Sequence, residues 1–119
     1  MATPSIAHRV AQHFDRSEPA VRATYEHILK AARKLGPVSE EAKKTSIHLV
    51  RKTAFAGVAT RKTALILTLK SDTDLATKRI IKREQTSANR WHLEVRLESP
   101  DQVDRELGGW LKKAYELAG

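Results

Sequence analysis

The sequence predicts an α+β domain in which a five-stranded antiparallel meander sheet packs against an N-terminal and a C-terminal helix. Two regions with helical apolar spacing flank a middle region, residues 46–97, that is rich in β-branched residues and turn signals. Connections within that middle region have hairpin length, which is too short for the crossover helices of a parallel sheet. The length of 119 residues suits one domain with a single core.

The N-terminal segment predicts a short helix over residues 4–14. An apolar residue recurs there every four positions, at Ile6, Val10 and Phe14. The apolar residues that follow are sufficient for a core, so these three have no obvious place in it. The chain therefore divides into a helical extension, residues 1–16, and a single α+β domain, residues 17–119. The extension could pack on a second copy of the chain, which makes a homodimer one candidate assembly.

Two longer amphipathic helices frame the predicted sheet. The first follows the capping residue Ser17, has Pro19 in its first turn and ends at Gly36-Pro37. The last begins at Ser99-Pro100, where serine caps the helix, proline suits its first position and Gln102 can close a capping box. Each helix has one apolar face, which the inner face of the sheet must cover.

Five strands are predicted between these helices, near residues 46–52, 54–59, 63–70, 78–84 and 91–97. The last shows the strand pattern best, because Trp91, Leu93, Val95 and Leu97 alternate with polar or charged residues. Trp91 and Trp110 both occupy the apolar phase of their elements. We therefore expect both tryptophans to lie in the core, where truncation to alanine costs about 3–5 kcal/mol.

Composition excludes several classes of protein. The chain contains no cysteine, so it has no disulfide framework, no thiolate nucleophile and no cysteine-ligated metal. The first 14 residues lack the apolar run of a signal peptide, and no stretch approaches the ~20 apolar residues of a membrane span. These features predict a cytoplasmic protein that has no membrane contact.

The formal net charge of +8 is concentrated in the middle of the chain. Residues 43–96 contain 13 Lys or Arg against 4 Asp or Glu, whereas the remainder contains 9 against 10. Such an excess favours an anionic partner without identifying it. The candidate nucleic-acid or anion-binding residues are Arg51, Lys52, Arg61, Lys62, Lys78, Arg79, Lys82 and Arg83. They would hold phosphates without reading bases. Alternatively, residues 78–83 are a charged edge strand that prevents pairing with other sheets.

The residues favour a chain without catalytic activity, cofactor or metal. None of the five histidines pairs with another at the spacing of a zinc site, and no Gly-rich phosphate loop or serine-nucleophile motif occurs. His48 and His92 could still meet across neighbouring strands, with Glu94 beside His92 on the outer face of its strand. A hydrolase or nuclease that uses these three residues is therefore the least favoured alternative.

Several segments together resemble the family known as domain of unknown function 5655. They are Leu35-Gly36-Pro37-Val38, residues 44–58, the apolar strand 64–69, Trp91-His92-Leu93-Glu94-Val95, Val103-Asp104 and residues 110–115. The resemblance covers residues 18–118. It implies a bacterial, intracellular domain that occurs alone or attached to other modules, and it brings no catalytic residue.

Residues and resemblance together predict a small basic binding module for nucleic acid or another anion. The alternative is a protein-interaction or homodimerisation module with no nucleic-acid role. A basic groove, a dimer patch and a cleft between His48 and His92 would each favour a different function.

Overall fold

The computed structural model describes residues 5–119, which form three helices, a 3₁₀ turn and a six-stranded antiparallel sheet. The elements in chain order are α1 (Ile6–Gln12), α2 (Pro19–Arg33), β1 (Ser39–Ala42), β2 (Ile47–Val50), β3 (Ala54–Thr60), β4 (Leu65–Ser71), β5 (Ile80–Ser87), β6 (Arg90–Leu97), the 3₁₀ turn (Pro100–Gln102) and α3 (Arg105–Leu117). The predicted α+β class and antiparallel sheet are confirmed. The predicted start of the first helix, at residue 4, lies outside the described residues.

The sheet differs from the predicted meander in strand number and order, which is β1-β2-β3-β4-β6-β5. β1 is the additional strand, and its polar sequence SEEA lacks the apolar alternation by which strands are recognised. β6 lies between β4 and β5 because it has three buried apolar residues to contribute to the core, whereas β5 buries only Ile80. The strand with less to bury occupies the edge.

One face of the sheet forms the core with the helices. Leu65, Leu67 and Leu69 of β4 lie opposite Leu97, Val95 and Leu93 of β6, and all six side chains are buried. Buried residues of α2 and α3 belong to the same apolar cluster. The opposite face carries partly exposed polar side chains such as Thr68 and Glu94, which are also paired across the two strands. The alternation predicted for the last strand is thus confirmed.

A bulge in β3 changes the phase of this alternation. The pairing of β2 with β3 shifts between Leu49 and Val50, so Phe55 has no partner on β2. As a result Phe55 and Ala56 are both buried although they are adjacent in the strand. The Phe55 ring packs edge-on against Tyr115 of α3 with 5.4 Å between centroids.

The helix α1 belongs to the core, which corrects the expectation that its apolar residues have no place there. Val10 and Phe14 are only 6% and 7% exposed, whereas Ile6 is 59% exposed. The Phe14 ring lies 5.2 Å from that of Tyr25 on α2. Spacing along a helix identifies its apolar face but not the surface that covers it, so the sequence could not distinguish core from dimer. A dimer interface at this helix would have Ile6 as its one large apolar side chain.

The tryptophans are less buried than expected. Both Trp91 and Trp110 are partly buried and pack against the rim of the core cluster. The Arg79 guanidinium lies over the Trp110 ring, 5.3 Å from its centre. The aromatic residues fully enclosed by the fold are instead Phe55 and Tyr25.

The polar edge strand β1 is held by Tyr25. Its hydroxyl donates to Glu40 Oε2 at 2.6 Å, and Arg33 lies 3.6 Å from the other carboxylate oxygen. Burial, reinforced by the hydrogen bond to Glu40, raises the pKa of Tyr25 far above its usual range. The hydroxyl therefore remains a donor, and this contact helps to explain how a strand whose one apolar residue is Ala42 is fixed in place.

None of the helices formed by residues 5–119 has both the length and the apolar character that a membrane crossing requires.

Candidate nucleic-acid interface

The eight cations selected from the sequence do not converge on one surface. Arg51 and Lys52 lie in the turn between β2 and β3, whereas Arg61 and Lys62 lie in the turn between β3 and β4. These turns are at opposite ends of the sheet, separated by the seven residues of β3, about 23 Å. The other four belong to β5 or to the loop before it, at the edge of the sheet.

Arg79 is engaged within the protein. Its Nη1 atom lies 3.0 Å from Asp104 Oδ1 and 3.0 Å from Glu106 Oε1, and its Nη2 atom donates to the Gln102 carbonyl oxygen at 2.7 Å. Burial disfavours the charged guanidinium, but the hydrogen bonds to Asp104 and Glu106 outweigh this effect and raise the pKa of Arg79. Arg79 therefore fastens the loop before β5 to the start of α3.

Three other selected cations also have partners within the chain. Arg83 Nε is 2.7 Å from Asp74 Oδ1, and Lys82 Nζ is 3.8 Å from Glu94 Oε2. Arg51 lies over the Tyr115 ring, 4.3 Å from its centre, and donates to the Tyr115 carbonyl oxygen at 3.1 Å. In addition, β5 is an edge strand, as the alternative explanation of its charges predicted.

Asp104 makes the stability of the contact between the loop before β5 and the start of α3 depend on pH. Its carboxylate caps α3 by accepting from the Leu107 backbone N–H at 3.0 Å. That hydrogen bond, followed by the one from Arg79, holds the pKa of Asp104 below its usual range. A lowered folded-state pKa contributes stability above the unfolded value of about 3.9, and this contribution is lost as pH falls through the folded value.

We therefore expect Asp104→Asn to lose less stability than the natural chain between about pH 5 and pH 2, because asparagine still caps the helix but does not titrate. Urea unfolding across that pH range measures the difference. Asp101→Asn, at an exposed aspartate three residues earlier, is the matched control and should retain the natural pH dependence. If Asp104→Asn and the natural chain lost stability equally as the pH falls, the assignment of this pH dependence to Asp104 would be contradicted.

A different group of cations does converge, at the end of the sheet where the β1–β2 and β3–β4 turns lie side by side. Alternate turns of an antiparallel sheet share an end, and these two are two strand spacings, about 10 Å, apart. We call this surface the basic end. It comprises Arg9, Arg16, Lys43, Lys44, Arg61 and Lys62.

The helix α1 and the turn after it are attached directly to the basic end. Arg9 Nη2 donates to the Ala42 carbonyl oxygen at 3.1 Å, which ties α1 to the end of β1. Ser17 Oγ donates to the Arg61 carbonyl oxygen at 2.8 Å, and the backbone N–H of Glu18 donates to the Lys62 carbonyl oxygen at 2.7 Å. Arg16 is therefore held beside the β3–β4 turn.

Three of these cations, Arg9, Lys43 and Lys44, line a polar depression of about 270 Å³. Its lining residues are Arg9, Gln12, His13, Ala42, Lys43 and Lys44. Within residues 5–119, Lys43 is the one cation of the basic end that forms an ion pair, 3.1 Å from Glu41 Oε1. The same segments carry the carboxylates Asp15, Glu18, Glu40 and Glu41, of which Glu40 is already paired with Arg33. The surface keeps a positive excess and can hold an anion.

Sequence reasoning selects Arg61 and Lys62 but misses the other members of the basic end. Arg9 and Arg16 fall in the predicted extension, and their position depends on burial of α1. Lys43-Lys44 and Arg61-Lys62, however, are basic pairs in alternate turns of an antiparallel sheet. That pattern could have identified them together.

His48 does not meet His92. His48 is on β2 and His92 on β6, with β3 and β4 between them, so about 14 Å separates their positions across the sheet. Glu94 lies beside His92 on β6, but its carboxylate faces Lys82. The expectation of a contact across neighbouring strands is therefore wrong. Within residues 5–119, no cluster of three or more His, Asp or Glu side chains could hold a metal ion.

The outer face of the sheet has its own shallow depression, of about 270 Å³. Small residues of β3 form its floor, because Gly57 lies between His48 of β2 and Thr68 of β4 in the cross-strand register. We call this depression the sheet trough. It is lined by Ser46, His48, Gly57, Ala59, Thr68 and Lys70, together with further residues of β3 and His92.

The chain belongs to the family described as domain of unknown function (DUF5655), whose model matches residues 10–118. The resemblance seen in the sequence is confirmed, and the match extends it to Val10 within α1. The family description assigns no activity. No curated protein matches the chain. No solved structure matches it either.

Proposed function

We propose that this member of the DUF5655 family is a non-enzymatic module that binds nucleic acid through the phosphate backbone at the basic end. The observation that carries the proposal is the convergence of six cations from four chain segments at one end of the sheet, where three of them line one polar depression. Elsewhere, selected cations such as Arg79 and Arg83 are held by carboxylates of the same chain. The basic end keeps cations that are free to meet an external anion.

The dimensions of the basic end suit a nucleic-acid strand. Its two turns are about 10 Å apart, and a strand carries one charge per about 3.4 Å along the helix axis, so the turns span about three phosphates. Exposed Lys and Arg side chains on turns can follow such a backbone without reading bases. Binding would therefore depend strongly on salt and weakly on sequence.

The proposed setting is the cytoplasm of a bacterial cell, which the lack of cysteine and the family resemblance both support. A homodimerisation function is less well supported, because burial of Val10 and Phe14 leaves Ile6 as the one large apolar side chain of α1 that is exposed. A hydrolase that uses His48 with His92 has no support from their positions on separate, non-adjacent strands.

We expect Arg61→Glu/Lys62→Glu to weaken oligonucleotide binding at least about tenfold at low salt, because attraction to two phosphates becomes repulsion. The slope of log K against log salt should fall by about 2, one for each phosphate that the variant no longer neutralises. Fluorescence anisotropy with single-stranded and duplex oligonucleotides, between about 50 mM and 200 mM salt, measures both quantities.

Lys30→Glu/Lys34→Glu is the matched control. It changes the net charge by the same amount, but both residues are exposed near the end of α2 that lies away from the basic end. The slope of log K against log salt for this control variant should remain close to that of the natural chain. Equal weakening by the two variants would show that net charge alone drives binding, and no binding at the lower salt would refute the proposal.

A further inference from the structure

We propose that the sheet trough accepts one unpaired base of the strand held at the basic end, so that the domain prefers single-stranded nucleic acid to duplex. This inference rests on the proposed function, because the basic end supplies the phosphate contacts. The trough adds an uncharged contribution to the binding free energy, and this contribution requires that a base is present. The two contributions come from different residues and can be removed separately.

The trough begins beside the two basic turns of the basic end. Ser46, which lines the trough, accepts a hydrogen bond at 2.7 Å through its carbonyl oxygen from the backbone N–H of Lys43. Ala59, on the trough floor, is two residues before Arg61. A strand whose phosphates rest on the two basic turns therefore passes the open end of the trough, and one nucleotide can turn its base onto the sheet.

Gly57 makes room for a flat ring. A Cβ atom at this position would lie 3.8 Å from His48 Cδ2, so the imidazole stands directly beside the space that a larger residue would fill. A base placed over Gly57 would contact the backbone of β3 and the imidazole of His48. Histidine is one of the side chains on which proteins stack unpaired bases, and such stacking tolerates any base.

The far wall of the trough supplies polar groups. Thr68 lies opposite Gly57 on β4, and its hydroxyl can donate to or accept from a base edge. Lys70, two residues further on the same face, has its Nζ atom 3.4 Å from Thr53 Oγ1 and no carboxylate partner within residues 5–119. It can meet the phosphate of the bound nucleotide.

The size of the trough limits its occupant. Its volume of about 270 Å³ is below the roughly 300–1,000 Å³ of pockets for drug-sized ligands, which indicates a single ring system. A base in a duplex is paired and stacked and cannot enter without being extruded. Unpaired strands are therefore favoured over duplex at equal phosphate content.

The test is Gly57→Val, which fills the trough without changing any charge. The new Cβ would meet only the ordinary contact at 3.8 Å, and valine suits a β-strand, so the variant is expected to fold. The probes are a labelled thymidine strand of about 12 nucleotides, within the usual site size, and an abasic strand of the same length. The natural chain should bind the thymidine strand about tenfold more tightly than the abasic strand, from one stacked base. Gly57→Val should bind both equally, at the affinity of the natural chain for the abasic strand.

His48→Ala provides an independent check, since it removes the stacking partner while leaving the trough open. It should lose most of the preference for thymidine, whereas His27→Ala, at an exposed histidine of α2, should keep it. Equal binding of both probes by the natural chain, with no effect of Gly57→Val, would overturn the inference and leave phosphate binding at the basic end intact. Failure to bind either probe would overturn both proposals.

Discussion

Replacing Phe14 by alanine is expected to lower the free energy of unfolding by about 3–5 kcal/mol, the usual cost of removing a buried phenylalanine. Its ring is enclosed between α1 and α2 and packs against Tyr25. A typical domain has only about 5–15 kcal/mol of stability, so the variant should unfold at a much lower urea concentration. Urea unfolding followed by tryptophan fluorescence measures the change.

Ile6→Ala is the matched control for this result. It truncates an apolar residue of α1, the helix that precedes Phe14, but one that is mostly exposed, so the change should stay within about 0.5 kcal/mol. If Phe14→Ala also left the unfolding midpoint unchanged, α1 would be a detachable extension. Arg9 and Arg16 would then lose their fixed place at the basic end, because burial of this helix positions them.

Replacing Arg79 by alanine is expected to cost about 2–3 kcal/mol. The substitution removes charge-assisted hydrogen bonds to Asp104, Glu106 and the Gln102 carbonyl oxygen, a class of interaction worth about 1.5–3 kcal/mol. It also uncovers the face of Trp110. Solvent screening limits the effect because the two carboxylates are about half exposed. Thermal or urea unfolding gives the value directly.

Lys78→Ala is the control for the Arg79 substitution. Lys78 is the preceding residue, is exposed and has no ion-pair partner within residues 5–119, so its loss should change stability by less than about 0.5 kcal/mol. The same pair of variants also bears on binding. Both residues precede the edge strand β5, which β6 separates from the strands of the basic end, so neither change should alter the salt dependence of oligonucleotide binding once the proteins are folded. A large loss of affinity in either would move the interface to the β5 edge.

The parts of the fold that were predictable are those in which local sequence and burial agree. The alternation from Leu93 to Leu97 places those residues in the core. The capping box Ser99–Gln102 is present, but it caps the 3₁₀ turn, and α3 begins only at Arg105 rather than at the predicted Ser99-Pro100. β1 was not predictable, because a segment with three polar residues out of four becomes a strand only through pairing with β2 and the hydrogen bond of Tyr25 to Glu40. Strand order was not predictable either, because hairpin-length connections do not show whether β5 or β6 pairs with β4.

The candidate site was predictable only in part. The basic pair Arg61-Lys62 is visible in the sequence, but its grouping with Lys43-Lys44 depends on which end of the sheet each turn reaches. Arg79 and Arg83 have the same sequence signature as any surface cation, yet the carboxylates that hold them lie elsewhere in the chain. Charge in a sequence therefore indicates the sign of a partner, whereas ion pairing within the fold decides which charges are available.

The sheet is open, with β1 at one edge and β5 at the other. Each edge strand has a row of backbone amide and carbonyl groups that no neighbouring strand pairs with. An edge of this kind is a template for another chain, and β5 of one copy could add to β1 of the next. Addition of this kind is head-to-tail and has no closing symmetry, so it would grow into a fibre.

Irregular backbone at both edges opposes this growth. β5 has two register shifts, between Ile80 and Lys82 and between Gln85 and Ser87, which break the row of amide and carbonyl groups that an incoming strand needs. At the other edge, the Ala42 carbonyl oxygen already accepts from Arg9. The bulges that cost β5 regular pairing thus keep neighbouring copies from joining one another.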